Sequence, residues 1–170
     1  MANEKELRDS WGTPDDFWKA FERGFVLQPT LDVCASEENT KLPYYFGPEQ
    51  DAMSIDWVGS AKDAGLAPVF WCNPGYSNVT PWVQAAIEAA GQGGTTYLLT
   101  HDNYNSAWFR TLWENDACLY TILLQPRIRF IPAPGIKQSS PRGNNMLHVI
   151  TGQSSIGRKN RIVPMNWKAW

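Results

Sequence analysis

The chain reads as an α/β protein built on an open, mainly parallel sheet with helices on both faces. Three observations predict it. Pro68-Val-Phe-Trp-Cys72 is a continuous apolar run of the kind found in strands covered on both sides. Thr80–Ala90 follows as a helix, with Pro81 at its first turn, good helix formers after it and Gly91 at its end. Thr95–Thr100 is then a second strand, so strands and helices alternate along the chain. In such sheets ligands sit at the carboxyl ends of the strands, where the turns begin.

The remaining elements follow in order. Asp15–Gly24 is predicted as a short helix: acids open it, Phe17, Trp18 and Phe21 share a face, and Gly24 closes it. Leu31–Ala35 is a short strand. Residues 36–66 are irregular apart from one helical turn, with turn signals at Leu42-Pro43 and Gly47-Pro48. Asn105–Asn115 is a helix, and Leu119–Leu124, Arg127–Ile131 and Met146–Thr151 are three further strands. No repeat or low-complexity tract interrupts them, and 170 residues suit a single domain, 1–170, with a basic final third, 117–170.

Composition narrows the class. At 43% apolar residues, with nine tryptophans, the chain has ample material for a core. No apolar run is long enough to span a bilayer, and residues 1–20 lack a signal-peptide stretch, so a cytoplasmic protein with no membrane partner is expected. Cys34, Cys72 and Cys118 cannot all pair, and none lies in a metal-binding cluster, so reduced thiols and no metal are expected. The net charge of −2 conceals a division. Residues 1–116 hold all seventeen acids and seven bases, giving −10; residues 117–170 hold eight bases and no acid, giving +8. A basic third fits either a polyanion partner or ion pairs with acids elsewhere in the fold.

The segment richest in chemistry is Trp71-Cys-Asn-Pro-Gly-Tyr-Ser77, where the apolar strand ends. Asn-Pro holds the backbone extended. The Asn73 side-chain oxygen and the Pro74 carbonyl then offer two acceptors to one point, matching the two N–H donors of an exocyclic amino group. Tyr76 offers a flat face for a base. The same residues also make an ordinary turn. His101-Asp102 is read as a polar loop pair and not as a base with its orienting acid.

Order and context favour the first reading. Asn73-Pro-Gly-Tyr76 resembles the [Asn/Asp/Ser]-Pro-Pro-[Tyr/Phe/Trp] motif of amino-directed methyltransferases, and residues 11–151 resemble the short phage-type DNA N6-adenine methyltransferases. Trp11-Gly-Thr-Pro-Asp-Asp-Phe-Trp18 is similar to their Thr-Pro motif. Leu31-Asp-Val-Cys-Ala-Ser-Glu-Glu-Asn39 is similar to their first cofactor motif, and Asp51–Trp57 to their Asp-Gly-Leu run ending in Asp-Trp. Trp108-Phe109 and Arg127–Phe130 resemble later landmarks.

The resemblance implies a Rossmann-like fold that uses S-adenosylmethionine to methylate adenine N6 in DNA, a duplex from which the target base is extruded. Asn73, Pro74 and Tyr76 would form the catalytic site. Thr13, Pro14, Asp32, Cys34 and Ala35 would line the methionine and ribose end of the cofactor, and Asp51 would accept from its adenine amino group. Arg127 and Arg129, two apart on one face, would meet DNA phosphates; the chain leaves little room for a separate target-recognition domain, with 137–145 and 157–161 as its obvious basic loops. A phage-encoded protein of this kind would work in the cytoplasm of the bacterial host. Two departures stand out: Gly75 replaces the second proline, and Leu98-Leu-Thr-His101 replaces the usual Leu-Leu-Pro-Ala. They leave open a non-methylating relative that binds DNA, cofactor or a host protein, and a methyltransferase acting on another amino group.

Overall fold

The computed structural model describes residues 11–132, 143–152 and 160–170. Six strands form one sheet: β1 (Leu31–Asp32), β2 (Val69–Cys72), β3 (Thr95–His101), β4 (Cys118–Gln125), β5 (Asn145–Thr151) and β6 (Arg161–Asn166), in the spatial order β1-β2-β3-β5-β4-β6. The helices are α1 (Asp15–Gly24), α2 (Trp57–Asp63), α3 (Thr80–Gly91) and α4 (Ala107–Glu114), with 3₁₀ turns at Ala52–Ser54 and Trp167–Ala169.

The apolar run of β2 explains the layering. Side chains alternate across a strand, so Phe70 and Cys72 enter one core while Val69 and Trp71 enter the other. On the first face the sheet is covered by Trp57, Val58 and Ala61 of α2, Val83 and Ala86 of α3, and Trp108, Phe109 and Leu112 of α4. On the second it meets Phe17, Trp18 and Phe21 of α1 and Trp167 of the last turn. Trp71 and Phe21 pack edge to face at 5.0 Å between ring centroids. Helices on both faces are therefore as expected.

The expectation of a mainly parallel sheet holds in part: five strands share one direction, but β5 is reversed and makes the sheet mixed. β1–β2, β2–β3 and β4–β6 pair in parallel, whereas β5 runs antiparallel to both neighbours, β3 and β4. Two antiparallel steps restore the direction, so β4 points the same way as β3. The carboxyl ends of β1, β2, β3 and β4 and the start of β5 consequently share one edge, with Asn145 opposite both His101 and Leu124.

Three element boundaries also change. Arg127–Ile131 is no sheet strand. Pro126 follows β4 and has no N–H for the ladder, and the Ile128 N–H goes to the Asn145 side-chain oxygen (3.1 Å). The alternation survives, with Ile128 and Phe130 buried and Arg127 and Arg129 exposed. The single turn expected within 36–66 is exceeded by the two-turn α2, whose first N–H groups bond to the Asp56 carboxylate (3.1 Å each). Finally, β6 is an unforeseen strand at the sheet edge. There Pro164 costs no ladder bond on its open side.

Candidate active site at the strand ends

The site is assembled from four segments at the shared edge. The first is the end of β1. Asp32 lies opposite Trp71 of β2, and pairing continues past the strand, since the Val33 N–H donates to the Trp71 carbonyl at 3.0 Å. On the other side the Asp32 N–H donates to Tyr44 O (3.0 Å), the Phe46 N–H to Asp32 O (2.8 Å) and the Ala35 N–H to Phe46 O (3.2 Å). Held from both sides, Asp32 is only 3% exposed, and its carboxylate accepts from the Cys34 N–H at 3.2 Å. Burial dominates its electrostatics and pushes the carboxyl up to about 7, against the opposing pull of the Cys34 and Lys41 main-chain donors. The Lys41 ammonium, whose charge also acts on Asp32, is itself bonded to Asp15 at 2.6 Å. Among the described residues Asp32 is thus a buried acid with no ion-pair partner.

The second segment leaves β2. The Asn73 Nδ2 donates to Thr13 Oγ1 (3.2 Å) and reaches Trp11 O at 3.5 Å. With the nitrogen committed there, the amide oxygen is left as the group for a ligand; among the described residues it has no partner. Pro74 is buried behind it. Gly75 does not adopt a left-handed φ, and its N–H donates to no described residue, so a proline ring would break no hydrogen bond here.

The third segment is 11–14, which crosses the edge before entering α1. Gly12 and Ile131 exchange two backbone hydrogen bonds of 2.9 Å each. Thr13 is 3% exposed, and Pro14 takes the cap position of α1, its carbonyl accepting from the Trp18 N–H at 3.0 Å. The fourth segment, 126–131, is tied down by that same Gly12 bridge. Its buried Phe130 meets the Tyr76 ring edge to face at 5.9 Å, which sets the exposed Arg129 one residue from a contact with the candidate catalytic motif.

Tyr76 is gripped more tightly than the sequence reading supposed. Its ring lies against His101 (5.1 Å between centroids) as well as Phe130, and His101 in turn meets Trp108 at 5.9 Å. Burial pushes the phenol well above its ordinary range, so it stays neutral. Burial also lowers His101, partly offset by Asp102. The Tyr76 hydroxyl, the His101 Nδ1 and the Trp11 Nε1 are all buried without a hydrogen-bond partner of good geometry among the described residues. Unpartnered buried polar atoms are uncommon and call for an explanation. Among the described residues three of the six such atoms belong to Tyr76 or to residues that touch Asn73 or Tyr76.

The structure brings Thr13, Pro14, Asp32, Cys34, Ala35, Asn73, Pro74, Tyr76, Arg127 and Arg129 to one edge of the sheet. Asp51 stands apart from them: it is exposed, begins the 3₁₀ turn and has left-handed backbone (φ 46°), and no described contact links it to the others. Asp102 engages Asn144 (3.4 Å), not the His101 ring, so no base–acid dyad forms among the described residues. The His101–Tyr76 contact and the Thr13–Asn73 bond escaped the sequence reading; the only hint of the former was that His101 departs from the usual residue at a strand end. Residues 137–142 and 157–159 of the basic loops lie outside the described residues. Among those described, no group of three or more potential ligands could hold a metal, and no helix is long and apolar enough to cross a membrane.

An α/β sheet that gathers a buried acid and a polar turn at the ends of adjacent parallel strands has the form of a small-ligand enzyme domain. The family is definite: the DNA N-6-adenine-methyltransferase (Dam) model matches residues 2–162, and the chain belongs to that family. It is 33% identical over 128 residues to a DNA N-6-adenine-methyltransferase of Haemophilus phage HP1, covering 75% of this chain and 69% of that protein. It is 30% identical over 111 residues to the DNA N-6-adenine-methyltransferase of Escherichia phage T1, covering 65% of this chain and 43% of that one.

Proposed function

We propose that this chain transfers a methyl group from S-adenosylmethionine to adenine N6 in DNA at the edge shared by β1, β2 and β3. The observation that carries the reading is the adjacency of two complementary groups. Among the described residues Asp32 is a buried acid without an ion-pair partner, and Asn73 lies two residues beyond Trp71, the register partner of Asp32. The cofactor is cationic at its sulfonium and its ammonium, and a buried carboxylate gains most from such a partner. The donor set therefore fits. Asp32, with Thr13, Pro14, Cys34 and Ala35 around it, would hold the methionine and ribose end; Asp51 would meet the cofactor's adenine. Bound there, the cofactor supplies an activated methyl group.

The chain's own contribution is to the acceptor. An aromatic amine is a poor nucleophile because its lone pair is delocalised into the ring. Hydrogen bonds from its two protons to Asn73 Oδ1 and Pro74 O draw the nitrogen toward tetrahedral geometry and free that lone pair. Such interactions strengthen as the transition state forms, and positioning supplies much of the rate. Tyr76 offers its ring to the extruded base, offsetting an unstacking cost of a few kcal/mol, roughly. Arg127 and Arg129 hold the duplex by its phosphates.

The test is incubation of the purified chain with unmethylated DNA and methyl-labelled cofactor, followed by nucleoside analysis. Label in N6-methyladenosine is expected. Label in N4-methylcytosine would reassign the acceptor, and cofactor binding without any incorporation would favour a non-methylating relative.

A further inference from the structure

We infer that Thr13 is a positioning residue for the acceptor amide, fixing which end of Asn73 faces the substrate. The inference rests on the role proposed for Asn73 and goes beyond it. A carboxamide has two ends of nearly equal size and opposite hydrogen-bonding character. Only the oxygen can accept from an adenine amino group; a flipped amide would set N–H against N–H. Something must therefore hold the amide one way round before the base arrives.

Two groups do so. Trp11 O is a carbonyl and can only accept, so the atom facing it must be Nδ2; the 3.5 Å separation, however, makes that bond weak. Thr13 Oγ1, at 3.2 Å, is the stronger partner, because its own proton can rotate away and leave a lone pair for Nδ2. Thr13 is itself held fast. Gly12 on one side is paired to Ile131 in both directions, and the Pro14 carbonyl on the other opens α1. With 3% of its surface exposed, its hydroxyl is engaged with Asn73, which leaves its main chain and methyl group, both kept in Thr13→Val, for the cofactor contact proposed above. The Thr-Pro segment and the Asn-Pro segment, 60 residues apart, act as one unit.

Thr13→Val removes the hydroxyl and keeps the shape. It is expected to lower kcat by about ten- to a hundredfold, the scale on which small misplacements of reacting groups act. Cofactor Kd and the KM for DNA should stay within about twofold, because the loss falls on the transition state. Thr13→Ser should recover most of the activity. In the protein without cofactor or DNA, the Asn73 side-chain NH2 should exchange with solvent more slowly than that of the exposed Asn78, and the protection should vanish in Thr13→Val. A wild-type kcat in Thr13→Val beside an inactive Asn73→Ala would overturn the role of Thr13 and leave that of Asn73 standing. Weaker cofactor binding with unchanged kcat at saturation would assign the hydroxyl to the cofactor and not to the amide, and would overturn the inference. An active Asn73→Ala would remove the basis for both. Should Thr13→Val fail to fold, exchange in the wild type still decides: an Asn73 amide as labile as that of Asn78 contradicts the inference.

Discussion

The two histidines of this chain stand 47 residues apart in sequence and belong to different physical worlds. His148 sits in the middle of β5, wholly buried, its Nε2 bonded to Thr100 Oγ1 of β3 and its Nδ1 to Thr121 Oγ1 of β4, each at 3.0 Å. Every polar atom of that cross-strand ladder has a partner, and burial holds the imidazole neutral, lowered to about 3. His101, at the carboxyl end of β3, lies against the Tyr76 ring with its Nδ1 buried and without a partner among the described residues. His148 serves the fold, and its hydrogen bonds are complete. His101 borders the candidate site, and its bond is left open, at a cost the rest of the core must offset.

Replacing each histidine in turn should separate these roles. His148→Ala leaves a cavity and two orphaned hydroxyls, and is expected to cost about 2–4 kcal/mol in urea unfolding. His101→Ala should cost within about 1 kcal/mol of stability while lowering methylation, because it releases one side of Tyr76. Equal stability losses at the two positions would break the distinction.

Titration should sharpen it, since the two buried groups act with opposite sign. His148 is held at about 3 against an ordinary 6.5. The unfolded chain therefore takes up that proton first, and stability falls as pH drops through this window. Asp32 is held at about 7 against 3.8. There the native state keeps a proton that the unfolded chain has released, so stability is greatest below 3.8 and falls as pH rises toward 7. Each slope is on the order of 1 kcal/mol per pH unit. Between pH 3.8 and 6.5 the two contributions largely cancel, so Asp32→Asn should expose the His148 slope and make stability rise with pH across that window; an unchanged profile would mean that Asp32 is solvated.

Smaller effects are expected at the rim. Replacing Arg127 and Arg129 together should weaken DNA binding and reduce the slope of log K against log salt by about 1–2, as two phosphate contacts are lost. An unchanged slope would assign both guanidinium groups to the protein's own acids. Least of all, Gly75→Pro should fold and gain up to about 1 kcal/mol, because the unfolded chain loses freedom while no described hydrogen bond is broken. A destabilised variant would show that the glycine is required by the site.

Much of this was legible in the sequence where the signal is local. The shared face of Phe17, Trp18 and Phe21 marked α1, and the run ending at Cys72 put Asn73 and Tyr76 at a strand end. Strand direction was not legible, because the side-chain pattern of β5 is the same whether its neighbours run with it or against it. β6 was hidden by Pro164 and by the exposure of an edge strand. The bond from Thr13 to Asn73, the approach of His101 and Phe130 to Tyr76, and the burial of Asp32 are all non-local. No periodicity encodes contacts made when four distant segments meet at one edge.

The central claim is that the Asn73 oxygen accepts from the reacting amino group, and single-turnover methylation by Asn73→Ala tests it most directly. Measured beside calorimetric titration of the cofactor, the variant should bind the cofactor within about twofold of wild type and lose methyl transfer by at least about a hundredfold, the size of effect seen when a preorganised partner of the transition state is removed. Methylation of adenine at a wild-type rate by Asn73→Ala would place the chemistry elsewhere in the molecule.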